Sequence, residues 1–148
     1  MILADFKAFP CAGRIIGVDW GARRVGLAVS DESRAFVFTR PVVNIGRDDD
    51  AAELVIAVAR DERVVGIVVG LPLYLDGAES DTTKKVREFV ATLSEKTDLP
   101  IVMVEENLTS VSAQESMGRV RVRDIKERLD SESARVILEN AIALINRA

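Results

Sequence analysis

Residues 14–30, with the sequence RIIGVDWGARRVGLAVS, decide the fold of this chain. Residues 14–18 are mostly apolar and β-branched, and Asp19 follows them directly. A turn that contains Gly21 and two arginines leads to a second apolar run at residues 26–30. This pattern predicts two antiparallel strands joined as a hairpin, with Asp19 at the carboxyl end of the first strand.

The rest of the chain alternates between strand and helix patterns. Short apolar runs predict further strands, and Pro41 near the end of the third strand marks it as an edge strand. Apolar residues at helical spacing, such as Val86, Phe89 and Leu93, predict amphipathic helices. The predicted strands are residues 35–43, 64–69 and 101–105, the predicted helices are residues 47–60, 80–97, 110–118 and 131–146, and residues 73–81 are predicted to be a loop.

This order of elements predicts the fold class. An antiparallel three-strand meander followed by strand–helix–strand units indicates an α/β fold, in which a mixed sheet carries helices on both faces. The length of 148 residues and the mass of 16.2 kDa fit one domain spanning residues 1–148. The sequence has no apolar run of about 18 residues that would predict a transmembrane helix, and residues 1–11 make a poor signal peptide.

The composition excludes several kinds of chemistry. The chain has no histidine, which removes Ser-His-Asp and Cys-His catalysis and Cys/His zinc sites. Its one cysteine, Cys11, cannot form an internal disulfide and fits a reducing cytoplasm. Lys and Arg number 20 against 24 Asp and Glu, so the net charge of −4 excludes a broadly basic coat for nucleic acid but not a local basic patch. Acid–base chemistry would therefore fall to carboxylates, Lys, Tyr or metal-bound water.

Several acidic residues fall at the ends of predicted elements. Asp19 follows the first strand, Glu105 and Glu106 end the strand at residues 101–105, and Asp130 opens the last predicted helix. In an open α/β sheet such ends meet at one edge. Carboxylates gathered there would repel one another unless a cation lay between them, and their hard oxygens suit Mg²⁺ or Mn²⁺. Two such ions about 3.5–4 Å apart are a usual device for phosphodiester hydrolysis and need no histidine.

Each of these acidic residues also has a purely structural interpretation. Asp19 could be a turn residue that bonds the backbone before Gly21. Glu106 could be a solvated charge at a strand end. Asp130 could be the N-cap of the last helix, with Ser131 as its rival for that place.

Basic residues lie next to two of these carboxylates. Arg23 and Arg24 in the hairpin turn could contact phosphate oxygens or be ordinary surface residues. Residues 117–128 carry five basic residues against two acidic ones without helical periodicity, which indicates a charged loop before Asp130. We interpret this loop as a nucleic-acid contact, with a solvated connection as the alternative. The residues predicted to bind nucleic acid are Arg23, Arg24, Arg119, Arg121, Arg123 and Lys126.

Few aromatic residues are available to stack on bases, since they make up only 5% of the chain. Trp20 and Tyr74 lie in predicted loops near the expected site. They are the best candidates for base stacking, and each could instead serve in packing.

Four motifs, in chain order, carry a resemblance to a known family. They are GVDWGARRVGLAVSD at residues 17–31, VGLPL at 69–73 followed by DG at 76–77, EENLTS at 105–110, and DSESA at 130–134 followed by VIL at 136–138. Together they resemble the YqgF/RuvX family, which has an RNase H-like fold. The resemblance spans about residues 14–142.

The resemblance implies a metal-dependent nuclease linked to maturation of the 5′ end of pre-16S ribosomal RNA, a family earlier proposed to resolve Holliday junctions. It implies that Asp19, Glu106 and Asp130 are both the catalytic residues and the ligands of Mg²⁺ or Mn²⁺. The chain departs from the family pattern at Asn107, where the family has Arg, and at Glu105, where it has Asp. The first departure removes a cation that could hold phosphate.

Three functions stay open on the sequence. The first is a Mg²⁺- or Mn²⁺-dependent endonuclease acting on structured RNA, with pre-16S ribosomal RNA as substrate. The second is a Holliday junction resolvase that uses the same carboxylates on four-way DNA and acts as a symmetric homodimer, whereas the first could be a monomer. The third is a catalytically silent RNA-binding factor for ribosome assembly. An actin-like ATPase or sugar kinase would need two such domains, for which 148 residues are too few.

Overall fold

A computed structural model gives the backbone of residues 1–107 and 122–147 and the side chains of residues 1–106 and 132–147. In these residues the strands are β1 (Ile2–Leu3), β2 (Ile15–Asp19), β3 (Arg24–Ser30), β4 (Val37–Asn44), β5 (Gly66–Leu73) and β6 (Ile101–Asn107). The helices are α1 (Ala51–Asp61), α2 (Asp81–Lys96) and α3 (Val122–Arg147). The helix predicted at residues 110–118 lies outside the described residues.

The strands form one sheet in the order β1-β6-β5-β2-β3-β4. β2 pairs antiparallel with β3, and β3 pairs antiparallel with β4, so the predicted meander is confirmed and β4 is an edge strand. β2 pairs in parallel with β5, and β5 pairs in parallel with β6. The mixed α/β sheet is therefore confirmed. The carboxyl ends of β2, β5 and β6 lie together at one edge of the sheet.

Helices cover both faces of this sheet, as the sequence predicts. Val90 of α2 packs with Val18 of β2 in the core cluster that α1 and α2 cover. Leu138 of α3 packs with Ile15 of β2 in a second cluster on the opposite face. Within residues 1–107 and 122–147, none of the helices has the length and apolar character needed to cross a membrane.

Two glycines allow α3 to lie directly on the sheet. A Cβ atom on Gly17 of β2 would lie 2.8 Å from the backbone oxygen of Ala134 and 2.8 Å from Cβ of Leu138. A Cβ atom on Gly70 of β5 would overlap the side chain of Ile137. Because real Cβ atoms do not approach other heavy atoms so closely, a larger residue at Gly17 would push the helix away from the sheet, and one at Gly70 would displace the Ile137 side chain.

The start of α1 differs from the predicted helix at residues 47–60. The helix begins at Ala51, because Asp50 is its N-cap and accepts a hydrogen bond from the backbone N–H of Ala52 at 2.9 Å. The Asp49 carboxylate accepts from the backbone N–H of Gly46 at 2.7 Å, which fixes the preceding residues as a turn. The run of aspartates therefore caps the helix instead of forming its first turn.

One strand, β5, is longer than the sequence predicts, and another, β1, was not predicted. β5 continues to Leu73, because it stays paired in register with β6 where we expected a loop. Its ladder with β2 ends at Val69, so at Pro72 the strand has a partner on one side only and the missing N–H is tolerated. β1 has just two residues, which is too short for a periodic pattern to reveal.

The last helix is the largest correction. We expected a charged irregular loop up to residue 128 and a helix that Asp130 opens, but α3 begins at Val122. Arg123, Lys126 and Arg128 therefore lie in a helix, and Asp130 is an interior helix position instead of its N-cap. Residues 122–147 contain neither Gly nor Pro and are rich in strong helix formers, so propensity sustains the helix where the apolar periodicity is weak.

Gly17→Ala is expected to lower the free energy of unfolding by about 1–3 kcal/mol, because the new methyl group would meet the backbone of α3. Urea denaturation followed by circular dichroism measures this loss. The control is Gly46→Ala, whose methyl group would displace the exposed carboxylate of Asp49 and lose at most the one surface hydrogen bond between them, so its loss of stability should be smaller. Equal stability of Gly17→Ala and the natural chain would contradict the packing described here.

Candidate active site

Asp19 lies at the carboxyl end of β2, next to the centre of the sheet. It is the last residue of that strand and pairs with Gly26 of β3. Alternate residues of a strand share a face, and Ile15 and Gly17 both face α3. Asp19 therefore belongs to the face of the sheet that α3 covers, and it is partly buried there.

Glu106 reaches the same face from β6. Val102 and Val104 pack in the core cluster under α3, so strand alternation places Glu106 on that face as well. Its neighbour Glu105 is exposed, whereas Glu106 is partly buried. The structure thus places these two adjacent carboxylates on opposite faces of the sheet, a difference that their position at a strand end does not predict.

Gly70 of β5 lies between the two acidic strands. Val18 of β2 pairs with Val69 of β5, so one further residue in the same register places Asp19 beside Gly70. The Glu106 carboxylate extends over the same glycine: its Oε1 atom lies 2.9 Å from the position that a Cβ of Gly70 would take. The strands that carry the two carboxylates thus flank β5, and the Ile137 side chain of α3 covers Gly70 on the same face.

This role of Gly70 was not predicted from the sequence. A glycine inside an otherwise apolar buried strand, here within residues 66–71, is the signal that could have shown it. Such a glycine often marks a place where another group approaches the backbone closely.

Burial changes the protonation of Glu106. Loss of solvent around its carboxyl raises its pKa from 4.5 to about 7. The ionised form would be favoured again by a nearby cation.

Asp130 is placed by its backbone alone. It lies within α3, one helical turn before Ala134, and Ala134 is the residue whose carbonyl approaches Gly17. The structure therefore brings Asp19 and Glu106 to one edge and carries α3 with position 130 across the same face. Among the residues whose side chains are described, there is no group of three or more acidic or thiol side chains that could hold a metal ion.

The predicted nucleic-acid-binding residues fall into two groups. Arg23 is exposed and Arg24 is partly buried, and both lie in or just after the turn that follows Asp19. The carbonyl oxygen of Arg23 accepts a hydrogen bond from the backbone N–H of Ile45 at 2.8 Å, which fixes this turn. Arg123 and Lys126 lie in α3, and Arg119 and Arg121 are outside the described residues.

The two aromatic residues considered for base stacking are in different environments. Trp20 packs on the core, with its ring centroid 6.4 Å from that of Phe89. Tyr74 is half-exposed in the turn that follows β5. Packing accounts for Trp20 but not for Tyr74.

Comparison with known proteins assigns the chain to a family. A family model described as "RuvX: Holliday junction resolvase" matches residues 13–143. The chain belongs to the RuvX family. Two relatives named "Putative pre-16S rRNA nuclease" are each 38% identical to it. The relative from Maridesulfovibrio salexigens aligns over 88% of this chain and 98% of its own length, and the one from Agrobacterium fabrum over 88% and 84%.

Two solved structures of junction resolvases share the fold of this RuvX chain. RuvC of Thermus thermophilus in complex with a Holliday junction substrate superimposes with a TM-score of 0.55 at 14% identity, covering 91% of this chain and 95% of that one. The Holliday junction resolvase of fowlpox virus gives a TM-score of 0.51 at 8% identity, covering 91% and 99%. The RNase H-like α/β fold expected from the sequence is therefore confirmed.

The buried carboxyl of Glu106 predicts a pH-dependent stability in metal-free buffer. With a pKa of about 7 in the folded chain and 4.5 when exposed, Glu106 binds a proton in the folded state that the unfolded state lacks between these values. Stability should therefore rise as pH falls from about 8 to about 5, and this component should be absent in Glu106→Gln. Urea unfolding in EDTA at several pH values measures it.

Glu105→Gln is the matched control for this experiment, because it removes the same charge from an exposed neighbour. It should retain the pH-dependent component that Glu106 contributes. Parallel stability profiles for the natural chain and Glu106→Gln would show that the Glu106 carboxyl is not buried as described.

Proposed function

We propose that this RuvX chain is a divalent-metal-dependent endonuclease that hydrolyses phosphodiester bonds of structured RNA and processes the 5′ end of pre-16S ribosomal RNA. The observation that carries the proposal is the approach of Asp19 and Glu106 to Gly70 at the carboxyl edge of the sheet. The names of the relatives at 38% identity support RNA as the substrate. The absence of histidine leaves carboxylates as the natural catalytic groups.

The chemistry of the donor atoms fits a hard cation. Asp19 and Glu106 offer carboxylate oxygens, which Mg²⁺ and Mn²⁺ prefer. Glu106 is partly buried, so a bound cation would stabilise the ionised form that burial disfavours.

We propose Asp19, Glu106 and Asp130 as the residues that hold the metal. Bound Mg²⁺ or Mn²⁺, in a one- or two-ion arrangement, would supply an activated water and stabilise the charge that develops during phosphodiester hydrolysis. Asp130 is included because α3 carries it one turn before the contact between Ala134 and Gly17. The close packing of α3 would hold this position steady relative to the strands.

The chain's own residues have separate tasks in this proposal. Asp19 is fixed by a central strand that pairs on both sides, so its position is set by the sheet. Arg23 and Arg24 follow it in a turn fixed by a backbone hydrogen bond, and they would hold phosphate oxygens of the strand. Arg119, Arg121, Arg123 and Lys126 would extend this contact along the nucleic acid.

A second candidate function is resolution of four-way DNA junctions. The family model carries that description, and the fold is shared with two junction resolvases at TM-scores above 0.5. Such likeness at 14% and 8% identity concerns the fold. The sequence identity to relatives named for pre-16S ribosomal RNA is higher, and for this reason we propose RNA and not a DNA junction as the substrate.

The proposed activity predicts cleavage of a pre-16S leader RNA with Mg²⁺ or Mn²⁺ and none with EDTA. Asp19→Asn and Glu106→Gln should each lower the rate by about 100-fold or more, because each removes charge stabilisation from the reacting site. Glu105→Gln is the matched control and should cleave at nearly the natural rate, since the Glu105 side chain is exposed and points away from the face that carries Asp19 and Glu106. Gel analysis of end-labelled RNA measures these rates.

A four-way DNA junction is assayed beside the RNA. Cleavage of the junction alone would replace the proposed function with that of a resolvase. Failure to cleave either substrate, together with tight RNA binding that survives Asp19→Asn, would indicate a catalytically silent RNA-binding factor instead. Equal RNA cleavage by Asp19→Asn and the natural chain would overturn the assignment of the site.

A further inference from the structure

The turn that follows β5 is a rigid structure. The backbone N–H of Gly77 donates to the carbonyl of Tyr74 at 2.8 Å, and the N–H of Tyr74 donates to the carbonyl of Ala78 at 3.0 Å. The Asp76 carboxylate accepts from the N–H of Ala78 at 2.9 Å. Gly77 has a φ of 85°, which glycine adopts without strain. These bonds fix residues 74–78 in one shape.

Both ends of the turn are anchored to regular structure. Leu73 closes it by a bridge to Glu79, and Glu79 forms an ion pair with Arg87 of α2 at 2.8 Å. The next residue, Ser80, is the N-cap of α2. The hydroxyl of Thr83 donates to the carbonyl of Pro72 at 2.5 Å, which joins the start of α2 to the end of β5.

This fixed turn presents two large apolar side chains to solvent. Tyr74 is 50% exposed and Leu75 is 83% exposed. Within residues 1–106 and 132–147, the ring–ring contacts are Phe6 with Phe9 and Trp20 with Phe89, so no aromatic ring packs on Tyr74 there. Exposing apolar surface has a cost in water. An ordered turn that carries such side chains is a feature expected of a binding surface.

The turn lies next to the two carboxylates. Pro72 of β5 pairs in register with Glu106 of β6, and Tyr74 is two residues further along. At a rise of about 3.3 Å per residue, this separates Tyr74 from the Glu106 level by roughly 7 Å. Tyr74 directly follows β5, so it lies just beyond the edge of the sheet that carries Asp19 and Glu106. A nucleic-acid strand held at the carboxylates would therefore pass the turn.

We propose that Tyr74, flanked by Leu75, is a stacking surface for an unpaired base next to the phosphate that is cut. An aromatic face binds any base, so the surface would select unpaired nucleotides without selecting a sequence. It would direct the enzyme to single-stranded segments that adjoin folded RNA. This inference rests on the proposed function, because it needs the RNA backbone to lie at Asp19 and Glu106.

The test measures binding separately from cleavage. A single-stranded RNA with one 2-aminopurine is titrated with chains that carry Asp19→Asn, so that the probe stays intact. Adding Tyr74→Ala should weaken binding about tenfold and abolish the quenching of 2-aminopurine, as expected for the loss of one base–aromatic stack. Tyr74→Phe should retain both, because it keeps the ring. Leu75→Ala, at an almost fully exposed position, should weaken binding by a smaller factor.

Phe36→Ala is the matched control. Phe36 is 65% exposed and precedes β4, beside the end of β3 that is remote from Asp19. This variant should bind the probe as tightly as its parent. If Phe36→Ala weakens binding as much as Tyr74→Ala, the stacking surface is overturned, because the effect is then general to exposed rings.

The remaining outcomes distinguish this inference from the proposed function. Unchanged binding and quenching in Tyr74→Ala would overturn the stacking surface, even if the natural chain cleaves RNA. Weak binding by both Tyr74→Ala and Tyr74→Phe would also overturn it, since the hydroxyl and not the ring would be responsible. The expected binding pattern without cleavage by the natural chain would support the stacking surface and count against the nuclease.

Discussion

The close approach of α3 to the central strand β2 is the constraint on which the rest of the structure depends. Gly17 has no side chain, so the carbonyl of Ala134 and the side chain of Leu138 can lie directly on the strand. Gly70 does the same for Ile137 on the neighbouring strand. This contact sets the height of the helix above the sheet. It therefore also sets the distance between position 130 and the carboxylates of Asp19 and Glu106.

Gly70 connects packing to chemistry, because the Ile137 side chain of α3 and the Glu106 carboxylate both approach this glycine on the same face of the sheet. Removing water from Glu106 raises its pKa to about 7. An apolar environment of this kind costs stability when the carboxyl is ionised, and a bound cation would offset that cost.

Much of this arrangement follows from the sequence, for identifiable reasons. The hairpin at residues 14–30 and the buried strand around Val68 predict the mixed sheet, because their apolar patterns are strong and their turns are short. Asp19, Glu105 and Glu106 could be singled out because they come at strand ends, and the family resemblance favoured Glu106 over Glu105. The role of Gly70 could not be predicted, since it depends on which side chains cross from another strand and from a helix. The predicted start of the last helix was wrong because the first turns of α3 are charged and show no apolar periodicity from which a helix could be predicted.

We propose that Asp19 and Glu106 hold a divalent cation between them. The most direct measurement is a crystal structure of the natural chain soaked with Mn²⁺, with anomalous diffraction used to locate the metal. Our account predicts an anomalous peak within coordination distance, about 2.0–2.3 Å, of carboxylate oxygens from both Asp19 and Glu106. A metal bound elsewhere, with these two carboxylates making no contact with it, would contradict the account.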